Sequence, residues 1–558
     1  MTSLSRVVTS YVVPSGSLVP NKESLYYSRD IGMEIKYEHI INVAECIESL
    51  PTILSSDRTN YLTIHLSHFS DEIFCSSIET IVQMLRSYKV VIAQLELCSC
   101  RGEKQYNSLL YLFDSIRNVP CRSIVASNQV LKKSPELFTV LFKSLIDKFC
   151  DINIACNRLS HTETLTAINR ITNRNPPHIL SLTLDNNTIN YHAACSLYDW
   201  IQRGDAALLQ YLSLCDCNLE LNMASRACAT TPIVVIADAL SMYPHAIREV
   251  NLSNNIRNNK ELPTVVFQLL SRQNTINILH FNENKLSNSD MEGVARFIEC
   301  SKIQHLSLSH CYLNDDDITS LIHSFNGSRS LRGLDISDNQ LTEVAIIAQE
   351  LIRPTEHGQG LEYINMSGSR PSLESFTQFS AWLTHASRLN TLILDNCSID
   401  CNMISVLCSR VMIHWQQQEA VTSYAYKLSP PLHTVSAQRN LIGHRGAQQI
   451  AKLMSKCPNH PLRVLNISSN HIGSLGKSKL FSCLQADKQL VYLDLSKCTS
   501  DEHVPFESLE DTRFKLVAPP SHIVECVYLC LRRKIGSTDL IRCIISFLLI
   551  EIQRKIVV

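Results

Sequence analysis

Hydrophobic positions along this chain recur in one short pattern. Leu331-Arg-Gly-Leu334-Asp-Ile336-Ser-Asp-Asn339-Gln-Leu341 places apolar residues at offsets 0, 3, 5 and 10 and Asn at offset 8. The same spacing fits Ile179–Ile189, Leu389–Ile399 (with Cys397 at the Asn position), Leu432–Ile442 and Leu462–Ile472 at every fixed position. Good matches begin at Phe149, Leu209, Ile247, Ile276, Ile303 and Leu490. Leu361 opens a poorer copy, with Ser369 and Pro371 in its last two fixed slots, and Tyr61, Ile92 and Cys121 open weaker ones. These make about 15 units, most of them 27 to 31 residues apart. Alternating apolar residues predict a short strand with one buried face, and the Asn or Cys is suited to satisfy backbone groups where the chain turns. The rest of each unit has room for a helix. Val344, Ile347, Ala348 and Leu351, like Met291, Val294, Ala295 and Ile298, follow helical i, i+3, i+4, i+7 spacing.

Cys100, Cys217, Cys311, Cys397 and Cys498 replace the Asn found at Asn157, Asn187, Asn255, Asn284, Asn339, Asn440 and Asn470. With this mixture the pattern resembles the leucine-rich repeats of the ribonuclease-inhibitor-like class, over roughly residues 61–500. The resemblance implies an α/β solenoid, a horseshoe with a parallel β-sheet on its concave face and helices on its convex face. Three regions are expected: residues 1–60 as an N-terminal segment and helical cap, 61–500 as the solenoid, and 501–558 as a C-terminal helical cap. Ile40, Ile41, Ala44 and Ile47 suggest the first cap helix; His522–Arg533 and Asp539–Lys555 suggest two at the other end.

Composition narrows the classes further. The 558 residues carry 51 Lys+Arg against 52 Asp+Glu, so a net charge of −1 offers no general attraction to nucleic acid or an anionic membrane. Met1–Pro20 lacks the apolar core of a signal peptide. No stretch reaches the ~18 apolar residues of a membrane span; Cys543–Ile550, between Arg542 and Glu551, is the nearest and is too short. The 22 cysteines are therefore expected as free thiols in a reducing cytoplasm.

Signs of catalysis are sparse. Gly473-Ser-Leu-Gly476-Lys477-Ser478 ends like a phosphate-binding loop, but His471 stands where its first Gly is required. Gly443 and Gly446 hold the same place one unit earlier, so these glycines read as strand-to-helix turns. Asp315, Asp316 and Asp317 suit a helix N-terminus, and the remainder of a calcium loop is missing. His280, His305 and His310, with Glu283, fall on neighbouring strands that project in parallel, a poor zinc cage. Cys98 with Cys100, and Cys526 with Cys530, lack a second pair at zinc-finger spacing. No enzyme activity, metal or cofactor is expected.

The strand face carries the functional signal. Offsets 2, 4, 6 and 7 should point into the concavity, and there the acids are Glu96, Asp151, Asp185, Asp216, Glu249, Glu283, Asp335, Asp338, Asp395 and Asp494. The bases there are only Arg439 and Lys497, while Tyr211, Tyr363 and Tyr492 occupy offset 2. This predicts a concave surface for a basic protein or peptide and disfavours nucleic acid, whose phosphates it would repel. Two long units add chain around Asn222 to Pro232 and at Thr422 to Pro431, where loops can bind. The expectation is a monomeric, non-catalytic scaffold for a protein partner that engages neither nucleic acid nor membrane. Two alternatives stand beside it. One is a regulator of a small GTPase resembling the Ran GTPase activators, although their acidic C-terminal tail is missing. The other is a membrane-associated assembly factor using the apolar Ile541–Ile552.

Overall fold

The computed structural model describes residues 60–498, with breaks at 67–69, 99–101, 174–178, 221–229, 326–329, 348–359, 384–387, 422–431 and a few shorter ones, and strands at 24–27, 33–36, 38–42 and 555–557. The chain divides into two units, Met1–Arg257 and Asn258–Val558.

In the first unit, β1 (Ser24–Tyr27) and β2 (Met33–Lys36) form an antiparallel pair. A parallel run then passes through β3 (Glu38–Asn42), β4 (Asn60–His65), β5 (Val90–Glu96), β6 (Cys121–Val125), β7 (Asp151–Asn153), β8 (Ser181–Thr183), β9 (Tyr211–Ser213) and β10 (Glu249–Asn251). The second unit repeats the arrangement with β11 (Ile278–His280), β12 (His305–Ser307), β13 (Gly333–Asp335), β14 (Tyr363–Asn365), β15 (Thr391–Ile393), β16 (Thr434–Ser436), β17 (Val464–Asn466), β18 (Tyr492–Asp494) and β19 (Lys555–Val557). Every expected start from Tyr61 to Leu490 carries a strand. From Phe149 onward each opens at offset 2.

Each unit is thus a run of leucine-rich repeats: a parallel sheet on one side, helices on the other, and the apolar offsets between them. Leu331, Leu334, Ile336 and Leu341 are all buried, as are Met291, Val294, Phe297 and Ile298 on the inner face of the helix Asn288–Cys300. Phe281 of the repeat after β11 meets Phe267 at 4.7 Å between ring centres, and Phe267 meets Phe297 at 5.7 Å, joining helix to sheet. Burying one such ring stabilises by about 1.5–3 kcal/mol. Helices are wider than strands, so stacking these units curves each sheet inward. Among the described residues no helix is long and apolar enough to cross a membrane.

The sheet begins one strand before the repeat count. Ile40 and Ile41, expected in a cap helix, lie in β3, whose Glu38–Asn42 pairs with Tyr61–His65. The backbone edge that β4 offers, together with the β-branched pair, outweighs a short helical periodicity. Ala44 and Ile47 lie outside the described residues. So do His522–Arg533 and nearly all of Asp539–Lys555, whose last residue opens β19. Val344 and Ile347 are buried as expected, while Ala348 and Leu351 are outside the described residues.

Candidate protein-binding surface

The turn after each strand organises the exposed face. Asn339 Nδ2 donates to the carbonyls of Ile336 (2.9 Å) and Ser337 (3.2 Å) in its own repeat and of Leu308 (2.9 Å) in the one before. Its Oδ1 accepts from the backbone N–H groups of Cys311 (2.9 Å) and Leu313 (3.0 Å). One buried amide therefore ties two repeats together.

A Cys at this position can do only half of that. Cys311 Sγ donates to Phe281 O (3.3 Å) and Ser309 O (3.5 Å), but it supplies no strong acceptor to the preceding repeat. The backbone compensates: Leu286 N–H donates to Cys311 O (3.2 Å), and Ile189 N–H to Cys217 O (3.0 Å). The residue after the Cys then adopts a left-handed conformation, at Asn218 (φ 56°), Tyr312 (φ 64°) and Ser398 (φ 55°). Arg158 adopts it too, after Asn157.

Offset 7 has its own constraint. From Cys156 to Lys497, the residue there has positive φ in every regular repeat, between 53° at Asp216 and 77° at Gly368. Asp, Asn and Gly tolerate this region best, which accounts for part of the polar character of the row. Glu283, His310 and Asp338 stand there side by side on consecutive repeats, all exposed. The two carboxylates have no side-chain partner among the described residues.

Four of the acids are built into turns. Asp185 Oδ1 accepts from Ser213 Oγ (2.6 Å) and Cys215 N–H (2.8 Å) of the next repeat. Asp395 does the same with Ser436 Oγ (2.6 Å) and Gln438 N–H (2.9 Å). At offset 4, Asp335 accepts from Ser337 N–H and Oγ (3.0 and 2.6 Å), and Asp494 from Ser496 N–H (2.9 Å). Asparagines fill these roles elsewhere: Asn282 binds Ser307 Oγ and Ser309 N–H at 2.6 and 2.9 Å, and Asn365 and Asn466 copy Asp335. The turn needs an Asx oxygen, not a charge.

The other acids vary in setting. Asp151 pairs with Arg122 (3.2 Å) and Asp216 with Arg257 (2.7 Å), while Glu249 is buried in β10. Burial pushes the Asp185 carboxyl above the usual carboxylate range, against the pull of its two hydrogen bonds. Tyr211, Tyr363 and Tyr492 are half-exposed. Burial, helped by the Asp494 carboxylate at 3.1 Å, raises the Tyr492 phenol.

Two features escaped the offset count. Arg122, Arg332 and Arg463 at offset 1 reach toward the next repeat, Arg122 to Asp151, Arg332 to Glu362 (2.8 Å) and Arg463 to Gln489 Oε1 (2.6 Å). Offset 1 is legible as a position, but nothing in the pattern says which way it faces. The second is a notch at Gly333. The His305 imidazole lies over this glycine, where a Cβ would come within 1.9 Å of Nδ1, and faces Tyr363 at 6.5 Å between ring centres.

The remaining motifs have structural employment. Asp315 accepts from Thr342 and Glu343 N–H (both 2.9 Å), bracing the start of the next helical segment, and Asp317 accepts from Asn314 N–H (3.0 Å). Gly473 has φ 66° and opens the helix Gly473–Leu484, in which Lys477 is buried. Among the described residues no group of three or more His, Cys, Asp and Glu could hold a metal ion. The insertions near Asn222 and at Thr422 to Pro431, and Cys526 and Cys530, lie outside the described residues.

These repeats define the fold class, a leucine-rich repeat solenoid. No protein-family profile and no curated protein matches the chain. Among solved structures it is similar in fold to an internalin from Listeria monocytogenes, at 14% identity and a TM-score of 0.33, over 77% of this chain and 94% of that one. A TLR13–ssRNA13 complex is similar at 16% identity and a TM-score of 0.37, over 80% of this chain and 57% of that one. A second Listeria monocytogenes protein, internalin C2, matches at 16% identity and 0.28, over 47% and 84%.

Proposed function

We propose that this protein is a non-catalytic interaction scaffold whose strand-bearing faces bind a basic surface of a protein partner. One observation carries the reading: the turns accept Asn or Asp alike, yet Asp185, Asp335, Asp395 and Asp494 bring charges the fold does not need. Exposed Glu283 and Asp338 add to Asp335, Asp395 and Asp494 in the second unit, and each strand face carries half-exposed tyrosines as well, a combination suited to lysine- and arginine-rich partners.

The test separates charge from structure. A variant carrying Asp185→Asn, Asp335→Asn, Asp395→Asn and Asp494→Asn keeps the Oδ1 acceptor of each turn. The Gln438 amide and Tyr492 hydroxyl, which donate to the second oxygens of Asp395 and Asp494, can accept from the new amides instead, so its circular dichroism should match wild type and it should melt no lower. Proteins captured on the wild-type chain should then bind the variant at least about tenfold more weakly, with a shallower salt dependence. Equal affinity for both chains from about 50 to about 500 mM salt would refute the proposal.

A further inference from the structure

One stretch of the second unit carries bases without acids. Residues 420–486 contain no Asp or Glu, yet they hold Lys427, Arg439, Arg445, Lys452, Lys456, Arg463, Lys477 and Lys479. In a chain with 51 bases and 52 acids, this is a concentrated positive field. The stretch builds the adjacent helices His444–Lys456 and Gly473–Leu484, neither of which contains a carboxylate.

A solvent-open groove of about 250 Å³ runs between these helices, lined by Gln448, Lys452, Ser455, Lys479 and Ser482, with Ala451 and Cys483 at its apolar edge. The spacing is the same on both sides. Lys452 and Ser455 are three apart on one helix and Lys479 and Ser482 three apart on the other, so each helix contributes one lysine and one serine to the lining. Neither ammonium has a carboxylate partner among the described residues, unlike Arg122, Arg257 and Arg332. The hydroxyls rest on helix carbonyls, Ser455 on Ala451 and Ser482 on Lys479 at 2.8 Å each, and can rotate toward a ligand. Cys483, donating to Ala451 O at 3.3 Å, is held as a thiol by burial and adds no negative charge.

We infer that this groove between the helices His444–Lys456 and Gly473–Leu484 is a binding site for a small phosphate-bearing ligand. Two lysines without carboxylate partners line one channel, and a multiply charged oxyanion there can accept from both ammonium groups and from the Gln448 amide. The volume suits a phosphorylated headgroup; drug-sized apolar ligands occupy larger and greasier pockets. Free phosphate esters and lipid headgroups share this chemistry.

Calorimetric titration of the full chain with inorganic phosphate and with inositol 1,4,5-trisphosphate tests the site. Both should bind, the trisphosphate more tightly. Lys452→Gln with Lys479→Gln should weaken binding at least about tenfold, whereas the control Lys133→Gln with Lys285→Gln should not. All four side chains are exposed, so the variants should melt like wild type. Cosedimentation with phosphatidylcholine vesicles, with and without phosphatidylinositol 4,5-bisphosphate, separates the sources. Retention on the phosphoinositide vesicles that trisphosphate competes away assigns a lipid headgroup; trisphosphate binding without vesicle retention assigns a free ligand. The inference falls if neither phosphate probe binds, or if the lysine pair and its control behave alike. It falls also if a short single-stranded oligonucleotide binds through these lysines and trisphosphate cannot displace it.

Discussion

At the scale of single residues, the offset 8 side chain decides how neighbouring repeats are joined. Asn339 makes five hydrogen bonds from a buried position, two of them to backbone donors of the previous repeat. Removing it leaves those donors and three carbonyls without their partner, a cost of about 3 kcal/mol. Cys311 makes two weaker bonds, and its backbone carbonyl, which a substitution does not remove, serves the previous repeat. Asn339→Ala should therefore lower stability by about 3 kcal/mol and Cys311→Ala by about 1 kcal/mol in urea denaturation of the full chain. Equal costs would mean that the amide's reach across repeats contributes nothing. The Asn-or-Cys alternation is plain in the sequence, but its consequence is not. Asn218, Tyr312 and Ser398 share no chemistry that marks a left-handed residue, and Arg158 takes the same conformation after Asn157.

At the scale of the strand and its turn, one geometry is served by two side chains. Asp185 and Asn282 accept from the same pair of groups, the offset 4 hydroxyl and the offset 6 N–H of the following repeat. Half-buried Asp185 is held above the normal carboxylate range by desolvation, so its charged form costs the folded state something that the unfolded chain does not bear. That cost is absent at low pH, where the carboxyl is protonated in both states, and appears as pH rises through the unfolded carboxylate range. Asp185→Asn should consequently melt above wild type at about pH 7, with the gap closing toward about pH 3. A lower melting temperature at neutral pH would show that the charge itself supports the turn. The acids were countable from offsets alone, and so were the strands from Phe149 onward, because a period-2 pattern fixes which side is buried. What the offsets could not show is the engagement of each acid: Asp338 and Asp335 sit three residues apart, one exposed and one hydrogen-bonded to Ser337. The same limit hid β3, since Ile40 and Ile41 satisfy a helix or a strand until β4 supplies a partner.

Over the whole molecule, a net charge of −1 conceals an acidic strand face and an acid-free stretch from 420 to 486. The second was visible as a plain run of sequence, but repeat offsets pass over it because Lys452, Lys456, Lys477 and Lys479 lie on helices outside the fixed pattern. Thiols are partitioned in a similar way. Cys300 is exposed, whereas burial pushes Cys121, Cys311, Cys397 and Cys408 up to about 12 from an ordinary value near 9. Between these values the unfolded chain has lost protons that the folded chain retains, so stability must fall as pH rises above about 9. Unfolded thiols ionise near 8.5, and each buried one then withdraws about 2 kcal/mol by about pH 10. Two measurements check this. Iodoacetamide at about pH 8 should alkylate Cys300 readily and spare Cys311, Cys397 and Cys408 until denaturant is added. Denaturation free energies should drop between about pH 8 and about pH 10, and Cys408→Ala should make that drop smaller even though it lowers stability at pH 8 by leaving a cavity. A free energy that stays level across the interval would mean that these thiols ionise inside the folded protein. The Asn-to-Cys exchange would then carry a charge into the sheet instead of a neutral donor.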